Sequence, residues 1–224
     1  MKNKKFFSAS IMCGDALNYS KVLDELTENK IDFVHADIMD NHFVPNLMLP
    51  MEVLNRLHQY GDIPFDFHLM VDDPKSIIDK LDIKKGDIIS VHYECDIDHL
   101  SLFKYIKDKG AKVSLAINPN TDVKVISKYL DYLDMVLIMA VYPGFSGQKM
   151  VPTTFSRLEE AKKLCEGRNI LIEVDGNCSF DNIPKMVSSG ASILVLGSSS
   201  LFAKGYSIKK AKEKILENVS NYTV

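Results

Sequence analysis

His35 and Asp37 stand at the end of an apolar run, Asp32-Phe33-Val34-His35-Ala36-Asp37-Ile38-Met39-Asp40. On a strand, residues i and i+2 share a face, so imidazole and carboxylate point the same way. Such a pair suits a metal ion, a proton transfer, or both, and alone it could also be a hydrogen-bonded couple. The pattern recurs. Phe65-Asp66-Phe67-His68-Leu69-Met70 carries His68, and Ile172-Glu173-Val174-Asp175-Gly176 carries Asp175. One polar residue at a strand end is ordinarily a satisfied core group, but four brought to one face fit that reading poorly. Imidazole and carboxylate together suit one divalent ion of Zn, Fe, Mn or Co, without choosing among them.

The elements that must position these residues are short apolar strands alternating with amphipathic stretches. Strands are predicted at 6–10, 33–37, 65–69, 88–91, 112–117, 135–139, 171–174 and 193–196. Helices are predicted at 19–28, 51–60, 74–81, 99–109, 123–130, 155–166, 180–189 and 208–219. Val22, Leu23 and Leu26 make the apolar stripe of the first helix. Asp73 before Pro74 reads as a helix start, and Gly110 and Gly190 as helix ends. Eight β-α units in 224 residues predict a single-domain (β/α)8 TIM barrel over residues 1–224. An open doubly wound sheet is the competitor, but no Gly-x-Gly-x-x-Gly follows the first strand.

In such a barrel the loops after the strands carry function. Tyr142-Pro143-Gly144-Phe145-Ser146-Gly147-Gln148, Gly176-Asn177 and Gly197-Ser198-Ser199-Ser200 follow the last three strands, the last of them predicted to open a short helix. Glycines let main-chain N–H groups approach an anion, so these three loops predict a phosphate cradle. Met39, Met70 and Met139 also end strands; they are either core filler or an apolar lid over a reactive carbon. His92 and Glu94 face the site without needing to ligate, His42 is a rim or substrate contact, His99 starts a helix, and His58 is expected on a helix surface.

Composition sets the outer limits. The formal net charge is −3, which gives no basic field for nucleic acid. With only Arg56, Arg157 and Arg168, an anion is expected to meet main-chain N–H groups rather than an arginine clamp. Four cysteines lack zinc or disulfide-framework spacing, so reduced thiols and a cytoplasmic location are expected. Met1-Lys2-Asn3-Lys4-Lys5 imitates a signal peptide, yet Ser8, Ser10 and Asp15 break the apolar stretch after it, and Met12 does not suit lipid attachment at Cys13. No run approaches the roughly 20 apolar residues of a membrane span.

A metal polarising a ketone acidifies the neighbouring C–H, and two aspartates on opposite sides of that carbon could move its proton from one face to the other. The stretch His35-Ala-Asp-Ile-Met-Asp-Asn-His-Phe-Val-Pro-Asn46, with Asp66-Phe-His-Leu-Met70, Pro143-Gly-Phe-Ser-Gly-Gln148 and Glu173-Val-Asp-Gly176, resembles the ribulose-phosphate 3-epimerase family. The resemblance implies interconversion of ketose phosphates at C3. It implies metal binding by His35, Asp37, His68 and Asp175, with Asp37 and Asp175 as the acid and base. It implies substrate contacts from Ser10, His68, Gly144, Phe145, Ser146, Gly147, Gly176, Asn177, Gly197 and Ser198, and a homo-oligomer, dimer or hexamer. The chain departs from the family pattern at Asn41 and Asn177, where glycine is usual. Met12-Cys13 and the run ending at Cys178 resemble the allulose-6-phosphate 3-epimerase branch, whose substrate is one carbon longer. Decarboxylases of related barrels carry Asp-x-Lys-x-x-Asp on this strand, but Met39 holds the lysine position here. A metal-dependent hydrolase would leave the glycine loops without a purpose, and a sugar-phosphate sensor would not need both aspartates.

Overall fold

The computed structural model describes residues 5–220. The lysine-rich start at residues 1–4 lies outside them. Eight parallel strands close into a barrel: β1 (Phe6–Ser10), β2 (Phe33–Asp40), β4 (Phe65–Met70), β5 (Ile88–His92), β6 (Lys112–Ile117), β7 (Met135–Met139), β8 (Leu171–Asp175) and β9 (Ile193–Leu196). Closure comes from β1, which pairs with β2 on one side and β9 on the other. A two-residue strand, β3 (Leu47–Met48), pairs antiparallel with Met39 and Asp40. It is absent from the predicted elements because two residues carry no periodicity to read.

The strands are buried on both faces, as a helix-covered parallel sheet requires. Outward residues such as Val34, Ala36, Ile38 and Leu69 join the main core under the helices. Inward residues stack in layers. Phe33, Ile88, Met135 and Ile193, with Phe6 and Leu171 against them, plug the barrel floor. Above that plug the interior turns polar, with Ser8, His35, Asp66, Ser90, Ser114 and Glu173 all buried.

The covering helices are α1 (Tyr19–Glu28), α2 (Met51–Tyr60), α3 (Pro74–Ile78), α4 (His99–Asp108), α5 (Thr154–Leu164), α6 (Ile183–Ser189) and α7 (Ile208–Ser220). The α3 start is capped as expected: the Asp73 side chain accepts the Ser76 N–H, with Pro74 in the first turn. Two predicted helices are corrected. Residues 123–128 form a 3-10 helix, where Val123, Val125 and Ile126 weaken α-helix propensity and Asp122 caps Lys124. The segment from Gly197 is a turn, in which Phe202 N–H bonds back to Gly197 O at 3.1 Å. No helix among the described residues is long and apolar enough to cross a membrane.

His58 is the third correction. Expected on a surface, it is fully buried on α2. Its Nε2 lies 3.0 Å from Asp87, and its ring packs against Phe65 and Phe67 at centroid distances of 4.7 and 5.4 Å.

Candidate metal centre and substrate cleft

Strand register assembles the polar cluster. β2 and β4 pair with His35 beside Asp66 and Asp37 beside His68. β7 and β8 bring Met139 beside Asp175. One ligand atom each from His35, Asp37, His68 and Asp175 then lie within 4.8 Å of one another. His68 Nδ1 is 3.2 Å from Asp37 Oδ1 and 3.8 Å from Asp175 Oδ2. His35 Nε2 is 3.3 Å from Asp37 Oδ1 and has no hydrogen-bond partner despite full burial. A buried nitrogen without a partner is costly unless something takes its lone pair. That orphaned atom, beside a second imidazole and two carboxylates, fits a divalent cation.

Each histidine is held from behind. His35 Nδ1 is 2.6 Å from Asp66 Oδ2, which also accepts the Ser8 hydroxyl at 2.8 Å. His68 Nε2 is 2.8 Å from His92 Nε2, the two ring planes 26° apart and meeting edge to edge, and His92 Nδ1 is 3.1 Å from Glu94 Oε2. His92 thus touches the cluster only through His68 and is not one of its four members. Asp66 and Glu173 form a further acidic layer below His35, and the sequence reading does not single them out. The signal is present: each precedes a proposed ligand by two residues and so shares its face.

The charges divide unevenly. Burial alone lowers the His35 imidazole, but Asp66 and Asp37 outweigh it and hold it well above its ordinary value. Burial works to raise Asp37, yet His35 and His68 keep it far below the usual carboxylate range. Burial dominates at Asp175 and raises it. Glu173 is raised well above the usual range by burial and by the Asp66 carboxylate. Burial brings His92 down to about 4, leaving it neutral near pH 7. Glu94 goes the other way: burial opposes ionisation, but bonds from His92, Thr121 and Asn118 hold it below its ordinary value.

Over the cluster opens a cleft of about 240 Å³. Ser10, Asp37, Asp175, Met39, Met70 and Met139 line it, together with Gly144, Phe145, Ser146, Gly147, Gly176, Asn177, Gly197 and Ser198. His35 and His68 lie beneath, fully buried. Tyr142 and Gln148, the ends of the predicted cradle loop, also line it, as does Cys13, to which the sequence assigns no contact. No lysine or arginine among the described residues lines it. The glycine loop is braced at several points. Gln148 Nε2 donates to Tyr142 O and Phe145 O at 2.7 and 2.8 Å, Asn46 to Gly144 O at 2.6 Å, and Asn177 to Gln148 O at 2.7 Å. Asn41 and Asn177, the two departures from glycine, both adopt positive φ, at 61° and 50°. Asparagine tolerates that region better than other side chains, so the glycine geometry is retained.

A closed parallel barrel, with two histidines and two aspartates under a glycine-walled cleft, defines a (β/α)8-barrel enzyme with a buried His/Asp cluster that could hold a metal ion. The chain belongs to the ribulose-phosphate 3-epimerase family, whose model matches residues 6–202, and it is an isomerase acting on carbohydrates. It is 36% identical over 228 residues to ribulose-phosphate 3-epimerase of Buchnera aphidicola subsp. Schizaphis graminum, covering 99% of each chain. It is 35% identical over 214 residues to that of Aquifex aeolicus, covering 95% of this chain and 96% of the relative. Among solved structures, 3-hexulose-6-phosphate synthase from Salmonella typhimurium superposes with a TM-score of 0.66 at 15% identity, over 97% of this chain and 99% of that one, a likeness of fold alone.

Proposed function

We propose that the protein epimerises a ketose phosphate at C3, in the sense of D-ribulose 5-phosphate to D-xylulose 5-phosphate, with Asp37 and Asp175 as the proton-transfer groups. The observation that carries the reading is geometric: two carboxylates, Asp37 and Asp175, line the same cleft and lie with His35 and His68 in one cluster whose ligand atoms are within 4.8 Å of one another. Two carboxylates converging on one cleft are placed to serve as base and acid. Asp37 takes the proton from C3, the electron pair moves into the adjacent carbonyl to give an enediolate, and Asp175 delivers a proton to the opposite face. His35, Asp37, His68 and Asp175 would hold a divalent cation, which would supply the Lewis acidity that makes this C–H removable.

Main-chain N–H groups of 144–147, 176–177 and 197–198 hold the phosphate, which suits a cleft without basic side chains. Ser10, whose hydroxyl donates to Asp37 at 3.1 Å, contacts the sugar. Met39, Met70 and Met139 form an apolar wall that keeps water from the reacting carbon. The relatives' name makes ribulose phosphate the first substrate to test. A second reading, D-allulose 6-phosphate to D-fructose 6-phosphate, is favoured by Met12, Cys13 and Cys178 lining the cleft.

Incubation of metal-loaded protein in D₂O with each ketose phosphate, followed by NMR, tests the chemistry. Deuterium is expected at C3, and its absence from both substrates would sink the proposal. Asp175→Asn is expected to fold and to lose this exchange, and kcat/KM for the two substrates decides the chain length.

A further inference from the structure

We propose that Glu94, acting through His92, is a positioning residue that fixes which nitrogen of His68 is free to bind a cation. The inference rests on the metal reading of the cluster. Glu94 Oε1 accepts the Asn118 N–H at 2.9 Å and the Thr121 hydroxyl. Those donors orient the carboxylate, so that Oε2, 3.1 Å from His92 Nδ1, acts as an acceptor. His92 therefore carries its hydrogen on Nδ1 and presents a lone pair at Nε2. His68 Nε2 lies 2.8 Å away, and two ring nitrogens so close need one hydrogen between them. That hydrogen belongs to His68 Nε2. His68 Nδ1, which faces Asp37 and Asp175, is left with its lone pair for a cation.

The frame that holds Glu94 is itself tied down. The Arg157 guanidinium, from α5, donates to Asn118 O at 2.8 Å and to Thr121 O. His99 Nε2 donates to His92 O at 3.1 Å. The chain of donors runs in one direction only: with its first bond reversed, a hydrogen would cap the ligand nitrogen.

Glu94→Gln performs that reversal with little change of shape. Its carbonyl oxygen takes the Asn118 and Thr121 donors, which turns the NH₂ group towards His92 Nδ1. His92 then carries hydrogen on Nε2, and His68 on Nδ1. Two-bond ¹H–¹⁵N spectra of the metal-free protein are expected to show His92 with Nδ1–H in the wild type and Nε2–H in E94Q. Zn²⁺ affinity, from competition with a chromophoric chelator, is expected to fall about 10- to 100-fold in E94Q. Glu94→Asp, which keeps an acceptor, is expected to recover most of it. A wild-type protein that binds Zn²⁺ but carries the His92 hydrogen on Nε2 overturns the relay alone, without any variant. Unchanged Zn²⁺ affinity in folded E94Q overturns it too. A wild-type protein that binds no Zn²⁺ overturns the metal reading, and the relay's purpose with it.

Discussion

Asp66 Oδ2 grips His35 Nδ1 at 2.6 Å from one layer deeper in the barrel, so the other ring nitrogen is turned up towards Asp37. Carboxylates behind metal-directed histidines fix the tautomer and make the free nitrogen more basic. Asp66→Asn keeps an oxygen that can accept from Nδ1 but removes the charge. Titration with Zn²⁺ is expected to show affinity about tenfold weaker, with the fold intact by circular dichroism. Affinity equal to the wild type would reduce Asp66 to a packing group.

The legible part of the site owes its legibility to the period of a strand. His35, Asp37, His68 and Asp175 can be read because a polar residue in a doubly buried strand has few bland explanations, and β-strand faces alternate without error. Asp66 and Glu173 obey the same alternation, but they lie one layer below the strand ends, where side chains of such barrels are usually apolar. The 3-10 helix at 123–128 escapes the sequence pattern because an apolar period does not separate 3.0 from 3.6 residues per turn over six residues. The turn after β9 escapes it because Gly-Ser-Ser-Ser suits a helix start as well as a turn.

His58 misleads because its polarity suggests solvent, while its buried partner lies 29 residues away. Asp87 is a hub: it bonds His58, the Phe65 N–H at 2.9 Å and the Lys84 N–H at 2.6 Å. His58→Ala would open a cavity beside Phe65 and Phe67 and strip a partner from a buried carboxylate. Urea denaturation is expected to show a loss of about 3 kcal/mol. Because His58 is not among the residues that line the cleft, kcat of the folded variant is expected to stay within about twofold, and a larger drop would point to coupling between α2 and the site.

Gly176 follows Asp175 directly and sits at φ 110°, where a side chain is strained. A Cβ there would come within 2.6 and 2.8 Å of the Val141 methyl carbons and 2.9 Å of its main-chain nitrogen. The backbone cannot retreat freely, because Asp175 O accepts the Ala140 N–H at 2.6 Å. Gly176→Ala must therefore displace the carboxylate proposed to carry the proton, and shifts near 1 Å in such groups cost about 100-fold in rate. Gly110→Ala, away from the cleft lining, is the control. It too has positive φ, 90°, but its Cβ would meet nothing within 4 Å. Backbone strain alone is expected to cost Gly110→Ala about 1 kcal/mol of stability. Gly176→Ala is expected to lose more stability and about 100-fold in exchange at C3. Comparable losses of exchange in the two variants would show that the left-handed backbone, rather than contact with Val141, sets the requirement for glycine beside Asp175.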